Sequence, residues 1–562
     1  MTYKRYLIFI TFLLLYSTAI KGQSLLLEAA GETSSSNTVI DSLGYKKQFT
    51  DYKSLETEVY SLKDRLQRSG YIDTYIESIK KENDSLFKAE FFIGDRVPTI
   101  RVYYGEDFNT EFIKLVDSQL GEGYFDLDIE AVENALNTIN RKIAEFGDPF
   151  STLQLINLKK ETNQLISADL NIKTNQKRTI DKILVKGYEK FPKSYIKRFL
   201  KLEPGNTFNL EEIKDQTRLL ENLRFASQIK DPEVLFTQDS TVLYLYLEKR
   251  RSNNFDGFLG FGTNENTNRI EFDGYLNLQL INNLNFGESL SILYKSDEID
   301  QQTFDIKTTM PFLFGSPVAL DLGLNIFRKD STFVTTQQNA KIAYQINAKH
   351  RIAAGVNVIN SSNLLDENTA VLNDYDSNYY LLNYNYIEPQ YYDPLFPINF
   401  LFDLTASTGR RENDEASLDQ NAFNLNTFKI FNLNERNSIY TRLNGARLIS
   451  DEYFDNELYR FGGINSIRGF EENSLVGNLF AVLNTEYRYR LSNSIYVHSV
   501  LDAAYTENQL SDTKTKLFGF GFGFGLLTKA GLFKFNYSSG KTEGRQFRLA
   551  DSKIHVSLTA TF

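Results

Sequence analysis

Side chains able to carry a reaction are few and scattered in this chain. It has no cysteine, and its three histidines, His350, His498 and His555, show no ligand spacing. Thiolate chemistry is excluded and a metal site is not expected. Carboxylates gather in DEID (297–300) and RRENDE (410–415), runs that read as solvated turns or outer loops. FGFGFGFG (518–525) has the glycine spacing of a phosphate loop, but neither a Lys-Ser/Thr pair nor a helix follows it. Alternating Phe and Gly fit one strand with Phe towards lipid and glycine inward. No nucleophile and base stand in a usable pattern, so no enzyme and no cofactor are expected. The densest candidate is RFGGINSIRGFEENSLVGN (460–478), in which Gly462-Gly463 precedes Ile467-Arg468-Gly469-Phe470. Taken alone, Arg468 is a solvated loop charge. Set against buried carboxylates, its guanidinium would form bidentate, charge-assisted bonds that fix geometry better than lysine does.

Composition narrows what must position that loop. The 562 residues include 33 Tyr and 44 Phe, 14% aromatic in all, while mean hydropathy is −0.36. Beyond the N-terminus no apolar run approaches the ~20 residues a spanning helix needs. Many aromatics without long apolar runs suit strands of an outer-membrane barrel, with aromatic girdles at both interfaces; a large soluble all-β protein fits composition equally well. A net charge of −10 argues against nucleic acid as a partner. Lys4 and Arg5, the apolar run 7–15 and the small residues Ser17, Ala19 and Gly22 give residues 1–22 the order of a signal peptide, cleaved after Ala19 or Gly22.

The pattern changes near residue 250. Before it, helical and strand periodicities alternate in three copies of a βααββ order, at 24–95, 96–175 and 176–250. The third is clearest: a strand TIDKILVKG (179–187), helical spacing over 192–202, the turn LEPGNTFN (202–209), a helix 210–222 and two strands around TQDS. The second has a strand at 99–104, a helix 110–120, the turn GEGYFDLD (121–128) and a helix 129–146. The first keeps a helix 52–69 and a hairpin. Gly70-Tyr71, Gly147-Asp148 and Asn222-Leu223 fall at matching places, and such self-similarity marks a modular array. From 253 to 562 about sixteen short strands follow, an even number as single-chain bacterial barrels have. In the last, KIHVSLTATF, Ile554, Val556, Leu558, Ala560 and Phe562 share one face and smaller or polar residues the other. One connection, 451–477 between the eleventh and twelfth strands, is long where the others are short, which suits a functional loop.

The βααββ copies resemble polypeptide-transport-associated (POTRA) domains. The paired glycines and Ile-Arg-Gly-Phe, with LNTEYRYRL (483–491), SVLDAAY (499–505) and GFGFGLLTKAGLFKFNYSSG (521–540), resemble the inward-folded loop and following strands of the outer-membrane assembly and transport superfamily. That superfamily includes BamA-type and TamA-type insertases and two-partner-secretion transporters. The resemblance implies a transmembrane β-barrel of about 16 antiparallel strands behind about three periplasmic POTRA-like domains. It also implies that the loop tucks into the lumen and Arg468 meets Glu486 and Asp502. Where the family has Asp-Ala-Gly, this chain has Asp502-Ala503-Ala504, which puts the local backbone in question. The implied function is insertion or translocation of outer-membrane proteins in a diderm bacterium. The repeats would take clients by β-augmentation, and the barrel would open between its first and last strands, where Gly257 and Gly260 weaken pairing. Val556, Leu558 and Phe562 would form the closing strand and C-terminal signal. Partners would be the outer-membrane bilayer, unfolded client proteins and periplasmic or inner-membrane accessory proteins. The alternatives are two-partner secretion and a passive porin.

Overall fold

The computed structural model describes residues 24–561 except 107, 118–119, 264–269, 297–300, 366–370, 391–392, 394 and 547–551, and it leaves the side chains of 258–273 and 561 undescribed. The signal peptide, the DEID run and Phe562 lie outside the described residues.

In the first repeat β1 (Leu25–Gly31) is followed by α1 (Ser34–Leu43), the short β2 (Gln48–Phe49), α2 (Tyr52–Arg68) and the hairpin β3 (Tyr75–Lys81) and β4 (Leu86–Phe92), in sheet order β2-β1-β4-β3. Thr33 and Asp51 cap the two helices by accepting the amides of Ser36 (3.1 Å) and Ser54 (2.8 Å). Leu55, Val59, Leu62 and Leu66 recur at helical spacing and are fully buried against Leu27, Ala89 and Phe91 of the sheet.

The second repeat has β5 (Thr99–Tyr103), β6 (Tyr124–Asp128), α3 (Val132–Glu145), β7 (Thr152–Thr162) and β8 (Leu165–Lys173), ordered β6-β5-β8-β7. Two expectations change. The helix expected over 110–120 is a 3-10 segment, Thr110–Leu115. The turn expected at 121–128 ends in a strand, β6, because Phe125 and Leu127 alternate into the core beside Ile100 and Val102.

The third repeat comprises β9 (Lys182–Gly187), α4 (Leu210–Arg218), β10 (Ala226–Phe236) and β11 (Thr241–Lys249), ordered β10-β11-β9. The helix expected over 192–202 is reduced to one π-helical segment, Tyr195–Phe199, whose Tyr195, Ile196 and Phe199 are buried. That segment docks on the barrel. The Tyr195 ring meets Phe312 edge-on at 4.8 Å and its hydroxyl donates to the Gly287 carbonyl (3.2 Å). Burial pushes the Tyr195 phenol far above its ordinary value, which keeps it a neutral donor. Tyr188 donates to Asn285 (2.7 Å) and accepts from Asn282 (2.8 Å), and Arg198 donates to the Gly315 carbonyl (2.6 Å). All these acceptors and rings lie in the turns after the second and fourth barrel strands.

The barrel is closed and has sixteen antiparallel strands, from Asn254–Thr263 to Lys553–Thr561. Neighbours in sequence are neighbours in the sheet throughout, and the eleventh strand (Asn437–Ile449) pairs with the twelfth (Leu479–Ser492) across the long connection. Side chains alternate as a wet lumen and a lipid face require. In the twelfth strand Asn484, Glu486 and Arg488 are buried, whereas Leu483 and Tyr487 are exposed; in the fourteenth (Thr513–Leu527), Phe520, Phe522 and Phe524 face outward. Ile554, Val556 and Leu558 are likewise exposed on the last strand. Among the described residues no helix is long and apolar enough to cross a membrane.

Candidate functional site: a loop in the lumen and a thin seam

The connection between the eleventh and twelfth strands has two parts. The first, 451–461, lies across the inner wall of the seventh to tenth strands. Arg411, at the end of the ninth strand (Ile398–Glu412), is 1% exposed. It donates to Glu457 (2.7 Å) and to the Glu452 carbonyl (3.3 Å), with its guanidinium 4.0 Å over the Phe454 ring. Glu457 also accepts from Gln420 (3.0 Å), which Tyr379 in turn contacts. Asn456 donates to Ser361 (2.9 Å). Reading 410–415 as a solvated run is therefore wrong for Arg411. Strand alternation turns Arg411 inward and Arg410 out to Asp419. The available signal was that the alternation of the preceding strand runs on through the charged residues. Replacing Arg411 with methionine should free this segment, since Glu457 is then left buried without its cation. Limited proteolysis of intact cells should cut within 451–458 in the Arg411→Met protein and spare an Arg410→Ala control.

The second part, 462–470, drops into the lumen. Gly462, Gly463 and Gly469 all have positive φ (118°, 89° and 91°), a backbone path that residues with a Cβ rarely take. Ile467 is fully buried with Phe461, Val482, Ala504 and Leu517, and Phe470 packs on the same cluster. The structure brings Arg468, Glu486 and Asp502 together. Asp502 on the thirteenth strand (Ile495–Asn508) receives Nε of Arg468 at 2.9 Å, Nη2 at 2.6 Å and the Arg468 backbone amide at 3.0 Å. Nη1 donates to Glu486, whose other oxygen accepts from Arg488 Nε (2.8 Å). Arg488 in turn lies between the rings of Phe396 (4.2 Å) and Tyr440 (4.0 Å). Two cations thus face two carboxylates, and the buried charge is balanced. Arg442 and Asn484 hold the loop's backbone by donating to the carbonyls of Asn465 (2.8 Å) and Ser466 (2.8 Å).

The loop lies flat on the wall because the wall has glycine there. A Cβ on Gly519 would stand 2.3 Å from the Arg468 carbonyl, and one on Gly540 would stand 2.5 Å from the Gly469 carbonyl. The thirteenth strand takes Ala503 and Ala504 without a break in register on either side, and the Ala504 methyl joins the cluster under Ile467. A Gly519→Ala substitution should push the loop off the wall at a cost of roughly 1–3 kcal/mol. The reactivity of Ser466→Cys towards a polar thiol reagent should rise in that background.

The seam is the second notable feature. The first strand pairs with the second along its whole length, Asn254↔Gln279 to Thr263↔Ile270. Gly257 and Gly260 therefore do not interrupt that ladder; a Cβ at Gly257 would strike the Tyr275 carbonyl (2.3 Å). Towards the last strand, the described residues give only two pairs, Asn254↔Thr561 and Phe255↔Ala560. The last strand pairs with the fifteenth (Leu532–Thr542) from Leu532↔Thr559 to Ser538↔Lys553.

Known proteins resemble this chain in part of its sequence and in its fold. Residues 178–248 match the family described as POTRA, surface antigen variable number repeat. A curated relative, the outer membrane protein assembly factor BamA of Nitratidesulfovibrio vulgaris, is 23% identical over 205 residues, 34% of this chain and 26% of the relative. The match thus spans about a quarter of that relative's length. Among solved structures, BamA from Haemophilus ducreyi lacking POTRA domains 1–3 aligns with a TM-score of 0.52 at 14% identity, over 83% of this chain and all of that one. CdiB from Escherichia coli aligns with a TM-score of 0.53 at 13% identity, over 91% and 98%. At those identities the structures share the fold.

Proposed function

We propose, on the premise that the chain belongs to the BamA/TamA-type superfamily, that it is an outer-membrane factor that inserts other outer-membrane proteins. Clients reach it on its periplasmic repeats and leave sideways through the seam into the bilayer. The observation that supports this reading is the seam, which has two pairs among the described residues. Beyond those pairs, the described residues of the first and last strands do not pair with each other, and their facing edges would template a client strand. The partners are the bilayer, unfolded client proteins and accessory proteins of the periplasm or inner membrane. Secretion of a polypeptide through the lumen, as a two-partner transporter would do, is the second reading; the loop held in the lumen by Arg468 would have to leave for it. A passive porin has no use for the repeats. Depletion of the protein followed by outer-membrane proteomics tests the proposal: a defined set of barrel proteins should fall. Unchanged barrel proteins together with loss of one secreted substrate would instead support secretion.

A further inference from the structure

Two glutamates of the lumen loop lie just past the Arg468 cluster. Glu471 and Glu472 follow Phe470, and they meet lysines on opposite sides of the seam. Glu471 accepts from Lys553 (2.8 Å), the first residue of the last strand. Glu472 pairs with Lys295 (3.4 Å), near the end of the third strand (Ser289–Ser296). Both lysines face the lumen. Lys553 is opposed to the fully buried Ser538, and Lys295 is opposed to Thr303, which lines the lumenal cavity. The loop thus reaches from the last strand to the third and spans the first two strands from inside.

We infer that Glu471 and Glu472 form a clasp that holds the outer end of the seam shut, and that release of the clasp governs sideways opening. This rests on the reading of the chain as an assembly factor and names the residues that regulate its exit. The first strand begins where the third repeat ends, so Asn254 and Thr561 lie at the periplasmic end of the seam and Lys553 and Lys295 lie towards the outer end. A hold on Lys295 is a hold on the first strand. Lys295 is paired with Tyr275 in a ladder that runs from Gly274↔Ser296 to Ile281↔Ser289, and the second strand in turn pairs with the first over ten residues. Among the described residues the two ends of the seam are therefore fastened by different means. Two backbone pairs, Asn254↔Thr561 and Phe255↔Ala560, fasten the periplasmic end, and two ion pairs made by one loop fasten the other.

The loop's own backbone seats the two glutamates. A Cβ on Gly462 would strike the Glu471 carbonyl, and one on Gly463 would strike the Glu472 carboxylate, so the paired glycines make the room that the acidic pair fills. The Ser474 hydroxyl and amide donate to the Glu471 carbonyl (2.8 and 3.4 Å) and close the turn behind it. On the other side, the buried Arg468 stands three residues before Glu471. The clasp keeps its place only while Arg468 holds the loop, which makes Arg468 a positioning residue for the seam. The four clasp side chains are 31–55% exposed. Ion pairs so open to water are weak and screened by salt, which suits a fastening that has to come undone.

The test uses the full chain in nanodiscs with spin labels on Ile292→Cys and Ile554→Cys, which sit on the third and last strands; the chain has no other cysteine. Glu471→Gln with Glu472→Gln should raise the population of long distances between the labels roughly fivefold, about what two exposed ion pairs supply. Salt at about 1 M, where the screening length falls to roughly 3 Å, should widen the parent to the same extent and add nothing to the Gln variant. Glu471→Lys with Lys553→Glu, which swaps the charges of one pair, should restore the parent distribution, and Arg468→Ala should widen it. Gel mobility of the unheated barrel checks that each protein is folded. Equal distance distributions for the parent and the Gln variant at low salt overturn the inference. Client insertion measured on the same proteins keeps the two readings apart: faster insertion by the Gln variant supports both, whereas a wider seam with unchanged insertion leaves the clasp and overturns the assembly reading.

Discussion

Oxidising a Phe255→Cys, Ala560→Cys protein should reduce client insertion to the rate of protein-free membranes, and reduction should restore it. The two positions are directly paired across the seam. Opposed antiparallel residues have Cα atoms about 4.5–5.5 Å apart, within the ~4.4–6.8 Å span of a disulfide. The chain has no cysteine of its own, so the engineered bridge is the only one that forms. The expected effect is large because, among the described residues, the native seam has two pairs. At about 1 kcal/mol net per hydrogen bond, opening two pairs costs on the order of 2 kcal/mol, against roughly 10 kcal/mol for a ten-residue ladder. A bridge adds a covalent barrier at the one place where opening is cheap. The control is a bridge between Ala343 and Ala353, paired on the sixth and seventh strands, which should leave insertion unchanged. Normal insertion by the locked seam would rule out lateral release.

Arg468→Ala should destabilise the lumen loop by about 3–5 kcal/mol, the cost of leaving buried carboxylates without their cation. Asp502 is 1% exposed and Glu486 8% exposed, so water does little to replace the guanidinium. Asp502 would lose two of its three Arg468 bonds, and Glu486 would keep only its Arg488 partner among these cations. Arg468→Lys should recover only part of the loss, since an ammonium lacks the fork that spans both Asp502 oxygens and Glu486. Two readouts separate structure from function: the melting temperature of the detergent-solubilised barrel, and Ser466→Cys reactivity at a temperature where the barrel is folded. A loop as protected in Arg468→Ala as in the parent would show that the charge cluster does not hold it.

Much of the barrel was legible because a strand whose two faces meet lipid and water must alternate, and alternation survives in single sequences. The Phe and Gly of 518–525 and the last strand show it plainly. The sixteen strands and the position of the long connection followed from that alternation and the turn residues. The lumen cluster was legible only through resemblance, since nothing local to Arg468 says which carboxylates it meets, 18 and 34 residues further on. The cap made by 451–461 is not legible in the sequence because charged residues near a turn read as solvated, and burial of Arg411 depends on Glu457, 46 residues away. In the repeats, 121–128 reads as a turn because Gly121 and Gly123 mask the short alternation of Phe125 and Leu127 in β6. The helices expected over 110–120 and 192–202 have apolar spacing, but tertiary packing of their aromatics decides the local winding.

The docking of Tyr188, Tyr195 and Arg198 on the turns around Asn282–Gly287 and Phe312–Gly315 has a mechanical consequence. A domain tethered only by its chain would swivel, and a load on it would be dissipated in the linker. Here a pull on the third repeat is transmitted through two rings and a guanidinium to the hairpins built on strands two to five, whose first member is laced to the seam strand along ten residues. The repeat is thus a crank fixed to one side of the seam, and a load on it pulls on the edge of the first strand.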